Sequence, residues 1–306
     1  MQRREFLART GGLVGALGLA PVSSWAERSG PLADLPVYVF SKHLQALGYA
    51  ATGEAAAEMG FDGVDLTVRR GGHVEPSKVR KNLPEAVRRI REAGMAVETM
   101  STDVLHPEDP HNREVLEVAR DQGIRHFRVG SRRYDLSQSV PKQFADWKEN
   151  LAALASVTRE MRMLAAVQNH SRFYLSCLTW DLWEGIRELP PDAMACHYDP
   201  CHAVVEAAVS WEVGFHLLKP RISALVIKDF VHTRTRDGIR RRFVPLGTGM
   251  VPWDVFWPLV RKAGLRVPLI LHMEYGDEED AEKNKALLLR DRQTLQTMLA
   301  DGGGSD

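Results

Sequence analysis

Short apolar, β-rich runs alternate with longer helical patterns from one end of this chain to the other, about eight times over. The strand-like runs fall at residues 37–40, 63–67, 96–101, 126–129, 164–169, 193–198, 224–229 and 268–273. Helical periodicity fills residues 83–93, 113–122, 140–161, 253–262 and 279–299. Sustained alternation of this kind predicts a single (β/α)8 barrel, an α/β fold, over a sandwich or a bundle; a doubly wound sheet is the alternative. Gly60, Gly94, Gly123 and Gly264 each close a helical pattern ahead of a strand and read as C-caps. Residues 233–243, centred on Asp237-Gly238, read as a hairpin excursion after the seventh strand. Its arginines, Arg234, Arg236, Arg240, Arg241 and Arg242, read as a solvated face.

The N-terminus carries a separate signal. Arg3-Arg4-Glu5-Phe6-Leu7 precedes an uncharged stretch at 11–20 and a small-residue site at Ser24-Trp25-Ala26, the pattern of a cleaved twin-arginine export signal. The alternative is a disordered basic tail. The apolar stretch is too short and too rich in glycine to span a bilayer, so no stable membrane anchor is expected. The expected organisation is a signal at 1–26, a barrel over 27–300 and a disordered Gly-rich tail at 301–306, with the mature protein in the periplasm or secreted.

Charge narrows the partners. The chain has 40 basic and 40 acidic residues among 306, and losing the signal would leave 37 and 39. A near-neutral protein lacks the electrostatic footprint of nucleic-acid binding. Cys177, Cys196 and Cys201 are an odd set without metal-type spacing and read as small buried thiols. Association into a homo-oligomer is left open by the sequence.

Four apolar runs finish in polar groups: Gln168-Asn169-His170, Asp199 with His202, Lys228-Asp229, and Glu274. Their spacing, about that of a βα repeat, would bring them together at the C-terminal mouth of a closed barrel. Asp199 and Glu274 offer hard oxygen ligands, Gln168 an amide oxygen, and His202 or His170 a nitrogen, a mixed set suited to Mn, Mg, Co or Zn. Each also has a plain structural reading: Asp199 before Pro200 could cap a helix, and Lys228 could pair with Glu274. Around them, Lys42 and His43 follow the first strand, Arg69 and His73 the second, Thr102 the third, and Arg128 lies on the fourth. His43, Arg69, His73, Arg128 and His170 are candidate substrate contacts, with structural salt bridges as the competing assignment. Trp180, Trp183 and Trp211 sit in helical stretches and read as core before sugar platforms, and His197 and His272 as core histidines.

The ordering Gln168-Asn169-His170, Asp199-x-x-His202, Lys228-Asp229 and Glu274 resembles the xylose-isomerase-like sugar phosphate isomerase/epimerase barrels, related to the AP endonuclease type 2 fold. Gly60-Phe61-Asp62-Gly63-Val64-Asp65 and Pro245-Leu246-Gly247-x-Gly249 extend the likeness over nearly the whole mature chain, closest to an exported branch. The resemblance implies a divalent-metal-dependent enzyme acting next to the carbonyl of a keto-sugar. The family's metal ligands map onto Gln168, Asp199, Val226 and Glu274. Gln168 replaces a glutamate and cannot act as a base, and Val226 replaces a histidine and cannot ligate. A metal would have to recruit His202 or His170. One remaining carboxylate favours isomerase or lyase chemistry over two-faced epimerisation, with Glu274 as base, Lys228 stabilising enolate charge and His202 orienting a hydroxyl. The competing expectations are a carbohydrate-binding barrel that has lost catalysis and, from the fold alone, a DNA repair nuclease.

Overall fold

A computed structural model describes residues 30–236, 238–277 and 280–301. The signal segment, Asp237, Glu279 and the tail beyond Asp301 lie outside the described residues. Eight parallel strands close into a barrel: β1 (Val37–Phe40), β2 (Gly63–Val68), β3 (Ala96–Thr102), β4 (His126–Arg128), β5 (Leu164–Gln168), β6 (Met194–Tyr198), β7 (Ile222–Ile227) and, after a hairpin, β10 (Leu269–Leu271). Closure is direct, because β1 pairs with β10 in the register Val37↔Leu269 and Val39↔Leu271. An open doubly wound sheet is thereby excluded. The hairpin is the antiparallel pair β8 (Asp229–Thr235) and β9 (Gly238–Val244), which forms a sheet of its own.

The helices are α1 (Tyr49–Glu58), α2 (Val79–Glu92), α3 (Pro110–Asp121), α4 (Val140–Glu160), α5 (Thr179–Ile186), α6 (Pro200–Ala207), α7 (Trp211–Leu218), α8 (Trp253–Lys262) and α9 (Ala281–Asp301). Local chemistry sets several starts. Asp109 caps α3 and Ser139 caps α4, each accepting a backbone N–H of the first turn and each leading to proline within the first two positions. The main core lies between the barrel and its helices, where Leu66, Met100, Phe127, Leu154, Phe215 and Phe256 are fully buried. Trp211 belongs to this layer and packs against Phe256, as expected for a core aromatic. No helix among the described residues is long and apolar enough to cross a membrane.

The barrel interior is polar for much of its depth. Tyr38 donates to Glu98 at 2.6 Å, and His126 and His197 meet Nε2 to Nε2 at 3.3 Å with Ser223 Oγ 3.0 Å from His126. Phe40, Ala224 and Ile270 form a small apolar plug above this layer. All three cysteines are free, and Cys196 and Cys201 are buried.

Candidate active site

One pole of the mouth is built around Asp199, which follows β6 and caps α6. Its Oδ1 accepts the His202 backbone N–H at 3.0 Å, so the helix-capping reading holds. Its Oδ2 receives Lys228 Nζ at 2.8 Å and Gln168 Nε2 at 2.7 Å. Asn169 brackets the backbone on both sides, accepting from Asp199 N–H at 2.7 Å and donating to its carbonyl at 2.9 Å. Ser176 Oγ donates to the Gln168 carbonyl at 2.7 Å and fixes the end of β5. The carboxylate is completely shielded from solvent and Lys228 is 4% exposed, so the pair interacts in a low-dielectric setting. Lys228 thus pairs with Asp199, not with Glu274.

The second pole follows β10. Glu274 accepts from Lys42 Nζ at 3.0 Å and lies 3.4 Å from His272 Nδ1. Burial pushes the Glu274 carboxyl upward, but His272, His43 and Lys228 outweigh it and hold the group well below the usual carboxylate range. The Lys228 charge therefore couples the two poles. His272, read from sequence as a core histidine, is indeed buried, yet it touches Glu274 and stacks on Phe40 with ring centroids 4.2 Å apart.

Arg128 Nη1 donates to Gln168 Oε1 at 2.7 Å and lies over the Phe40 ring at 5.3 Å. Arg69 lies over the same ring at 5.6 Å. Below them the Asp65 carboxylate accepts from Ser101 Oγ at 2.6 Å, and burial raises its pKa to about 6 against the pull of Ser101 and Arg128.

His202 and His170 stack at 4.2 Å, and His170 also meets Tyr174 at 4.1 Å. Arg241 Nη1 lies 3.1 Å from His202 Nδ1. Arginine can only donate, so Nδ1 accepts and the neutral ring carries its proton on Nε2, 3.6 Å from Asp199 Oδ2. Burial, reinforced by the Lys228 charge, keeps both rings neutral, with His170 lowered to about 3. Two other expected contacts have protein partners. His43 Nε2 accepts the Met273 backbone N–H at 3.0 Å, and His73 meets Ser41 and Thr52 hydroxyls at 3.1 and 3.2 Å.

The hairpin arm reaches this pocket. Alternation along β9 turns Arg241 and Phe243 inward while Arg240 and Arg242 stay exposed, which corrects the all-solvated reading of its arginines. Arg241 also donates to Ser171 Oγ, and Phe243 lies against Lys228 at 5.5 Å. Asp229 anchors the arm. Its two oxygens accept from the backbone N–H groups of Phe230, Gly247, Gly249 and Val251 and from Trp253 Nε1, all at 2.8–3.2 Å. A Cβ at Gly249 would fall 2.0 Å from Asp229 Oδ1, so only glycine permits this approach.

The family model for the xylose isomerase-like TIM barrel matches residues 54–292. The chain belongs to that family. No curated protein matches it by sequence. A xylose isomerase-like TIM barrel protein from Mycobacterium smegmatis in complex with magnesium superposes with a TM-score of 0.68 at 14% identity, covering 90% of this chain and 100% of that one. L-ribulose 3-epimerase superposes at 0.67 and 16%, covering 88% and 95%. The apo 3-keto-D-glucoside 4-epimerase from E. coli does so at 0.60 and 16%, covering 80% and 94%. These likenesses carry the fold.

Within this xylose isomerase-like barrel the donors do not fit a divalent cation. The Gln168 oxygen is taken by Arg128, and its NH2 faces Asp199. Val226 is buried and has no donor atom. The Asp199 oxygen that would face a cation already holds the Lys228 ammonium. Glu274 is engaged with Lys42, and among the described residues no group of three or more His, Cys, Asp or Glu could hold a metal ion.

Proposed function

We propose that this barrel is a sugar isomerase- or lyase-type enzyme that removes a proton next to the carbonyl of a keto-sugar, with Glu274 as base and Lys228 as electrophile. One observation carries the reading: an ionised carboxylate and a buried ammonium from different strands converge in one mouth, and the ammonium helps keep the carboxylate ionised. Glu274 takes the proton, Lys228 stabilises charge on the enolate oxygen, and His202, held as the Nε2–H tautomer, is placed to donate to a substrate hydroxyl. Cationic charge comes in this reading from Lys228 and Arg128 in place of the expected Mn, Mg, Co or Zn. The twin-arginine segment would deliver the folded enzyme to the periplasm.

A second reading, a carbohydrate-binding barrel without turnover, draws on the same Glu274. A carboxylate held well below its usual range is a weak base. Assaying keto-sugars with wild type and Glu274→Gln separates the two. The enzyme reading expects turnover to fall by about 10²- to 10⁴-fold with the protein still folded by circular dichroism. Full activity in the variant removes Glu274 as the base, and sugar binding without turnover by wild type selects the binding protein.

A further inference from the structure

The mouth holds more positive charge than its carboxylates balance. Lys42, Arg69, Arg128, Lys228 and Arg241 face Asp65, Asp199 and Glu274, while Asp103, which also acts on Arg128, is held by Arg70. Lys42 and Lys228 are each spent on a carboxylate, and Arg241 on His202 and Ser171. Arg69 and Arg128 are not paired in this way: neither forms an ion pair among the described residues. The Nε atoms of both are buried without a hydrogen-bond partner. Arg128 uses Nη1 on the neutral Gln168 amide, and Asp65, the carboxylate nearest in charge, bonds Ser101 instead.

Two guanidinium groups, one just after β2 and one at the end of β4, both laid over the Phe40 ring, are costly to hold together when the one carboxylate beneath them, Asp65, is bonded to Ser101. We propose that the ligand of this mouth is an acidic carbohydrate whose carboxylate or phosphate is clamped between Arg69 and Arg128 above Phe40. Each fork presents N–H donors in the planar geometry that matches two oxygens of an oxyanion, which a neutral sugar cannot supply. Phe40 shields one face of both cations from water, and the stack on its other contacts, His272, keeps the ring in place. The inference rests on the carbohydrate pocket proposed above and adds the charge of its occupant.

The test is calorimetric titration of the full chain with D-glucuronate, glucose 6-phosphate, inorganic phosphate and neutral D-glucose, on wild type, Arg69→Gln and Glu274→Gln. At least one of the three anions should bind roughly tenfold or more tightly than glucose, and Arg69→Gln should remove that preference. Preference for glucuronate assigns a carboxylate, and preference for either phosphate compound assigns a phosphate. Binding of every anion no tighter than glucose, including no binding at all, overturns the proposal, as does an anion preference that survives Arg69→Gln. The Arg69 side chain makes no hydrogen bond among the described residues and the substitution keeps its backbone bonds, so this variant stays informative even where Arg128→Gln, which frees Gln168, fails to fold. Glu274→Gln should keep the anion preference. Its loss of turnover with that preference intact bears on the base alone, while turnover of neutral keto-sugars by wild type with no anion preference sinks this inference and leaves the catalytic reading standing.

Discussion

The Lys228 ammonium stands 2.8 Å from Asp199 Oδ2, with the Gln168 amide bonded to the same oxygen. Replacing Lys228 by methionine leaves a fully buried carboxylate without its cation. Chemical unfolding should show a loss of about 3–5 kcal/mol, and the Asp199→Asn, Lys228→Met double variant should regain part of it. Equal losses in the single and double variants would show that the pair is not the origin of the cost.

The same ammonium occupies an Asp199 oxygen that a divalent ion would need as a ligand. Chelator treatment should leave the melting temperature and any turnover unchanged, and elemental mass spectrometry of the native protein should find substoichiometric Mn, Mg, Co and Zn. One equivalent of a metal, lost in Asp199→Ala, would show that the pocket rearranges to ligate it.

Acid should destabilise the fold through its buried imidazoles. Burial lowers His126 to about 3, while an unfolded histidine titrates near 6.5. Between those values the unfolded chain binds the proton that the folded one refuses, so stability falls as pH drops from about 6.5 towards 3, by up to about 1.4 kcal/mol per pH unit for this group. Asp65, raised to about 6, works in the opposite direction below that value, but His197, His202 and His272 are also lowered and outweigh it. Unfolding midpoints measured at pH 5 and pH 7 check the sign, and His126→Asn should flatten the dependence.

Gly249→Ala should loosen the arm. The added methyl collides with the Asp229 carboxylate, so five hydrogen-bond donors lose their acceptor or shift from it. A cost of about 1–3 kcal/mol is expected, with faster proteolysis within residues 229–244. Unchanged cleavage there would remove Asp229 as the anchor.

The barrel was legible because each strand is a compact apolar run bounded by polar or glycine punctuation, and because Gly60, Gly94, Gly123 and Gly264 close the helices ahead of the strands. Helices α1 and α5 to α7 showed in the sequence only as a closing Gly60, the tryptophan-bearing stretches at 180–183 and 211 and a cap at Asp199, and their bounds come from the structure, because they are short or, in α1, largely alanine. In the site, Gln168, Asp199, Lys228 and Glu274 stood out as polar ends of apolar runs. Arg241 did not, since charge crowds both faces of β9 and only strand alternation singles out the inward pair with Phe243. His272 was hidden by its apolar neighbours. The partners of His43 and His73 are tertiary, a backbone N–H from the far end of the chain and two hydroxyls, and no local pattern encodes them.

The arm made by β8 and β9 pairs only with itself, and the Asp229 carboxylate binds its base to the loop ahead of α8. Selection can therefore rewrite Arg241 and Phe243, which border the pocket, without disturbing the register of any barrel strand. The scaffold and the part that tunes its ligand range are separable, so relatives of this chain can diverge in diet while keeping one architecture.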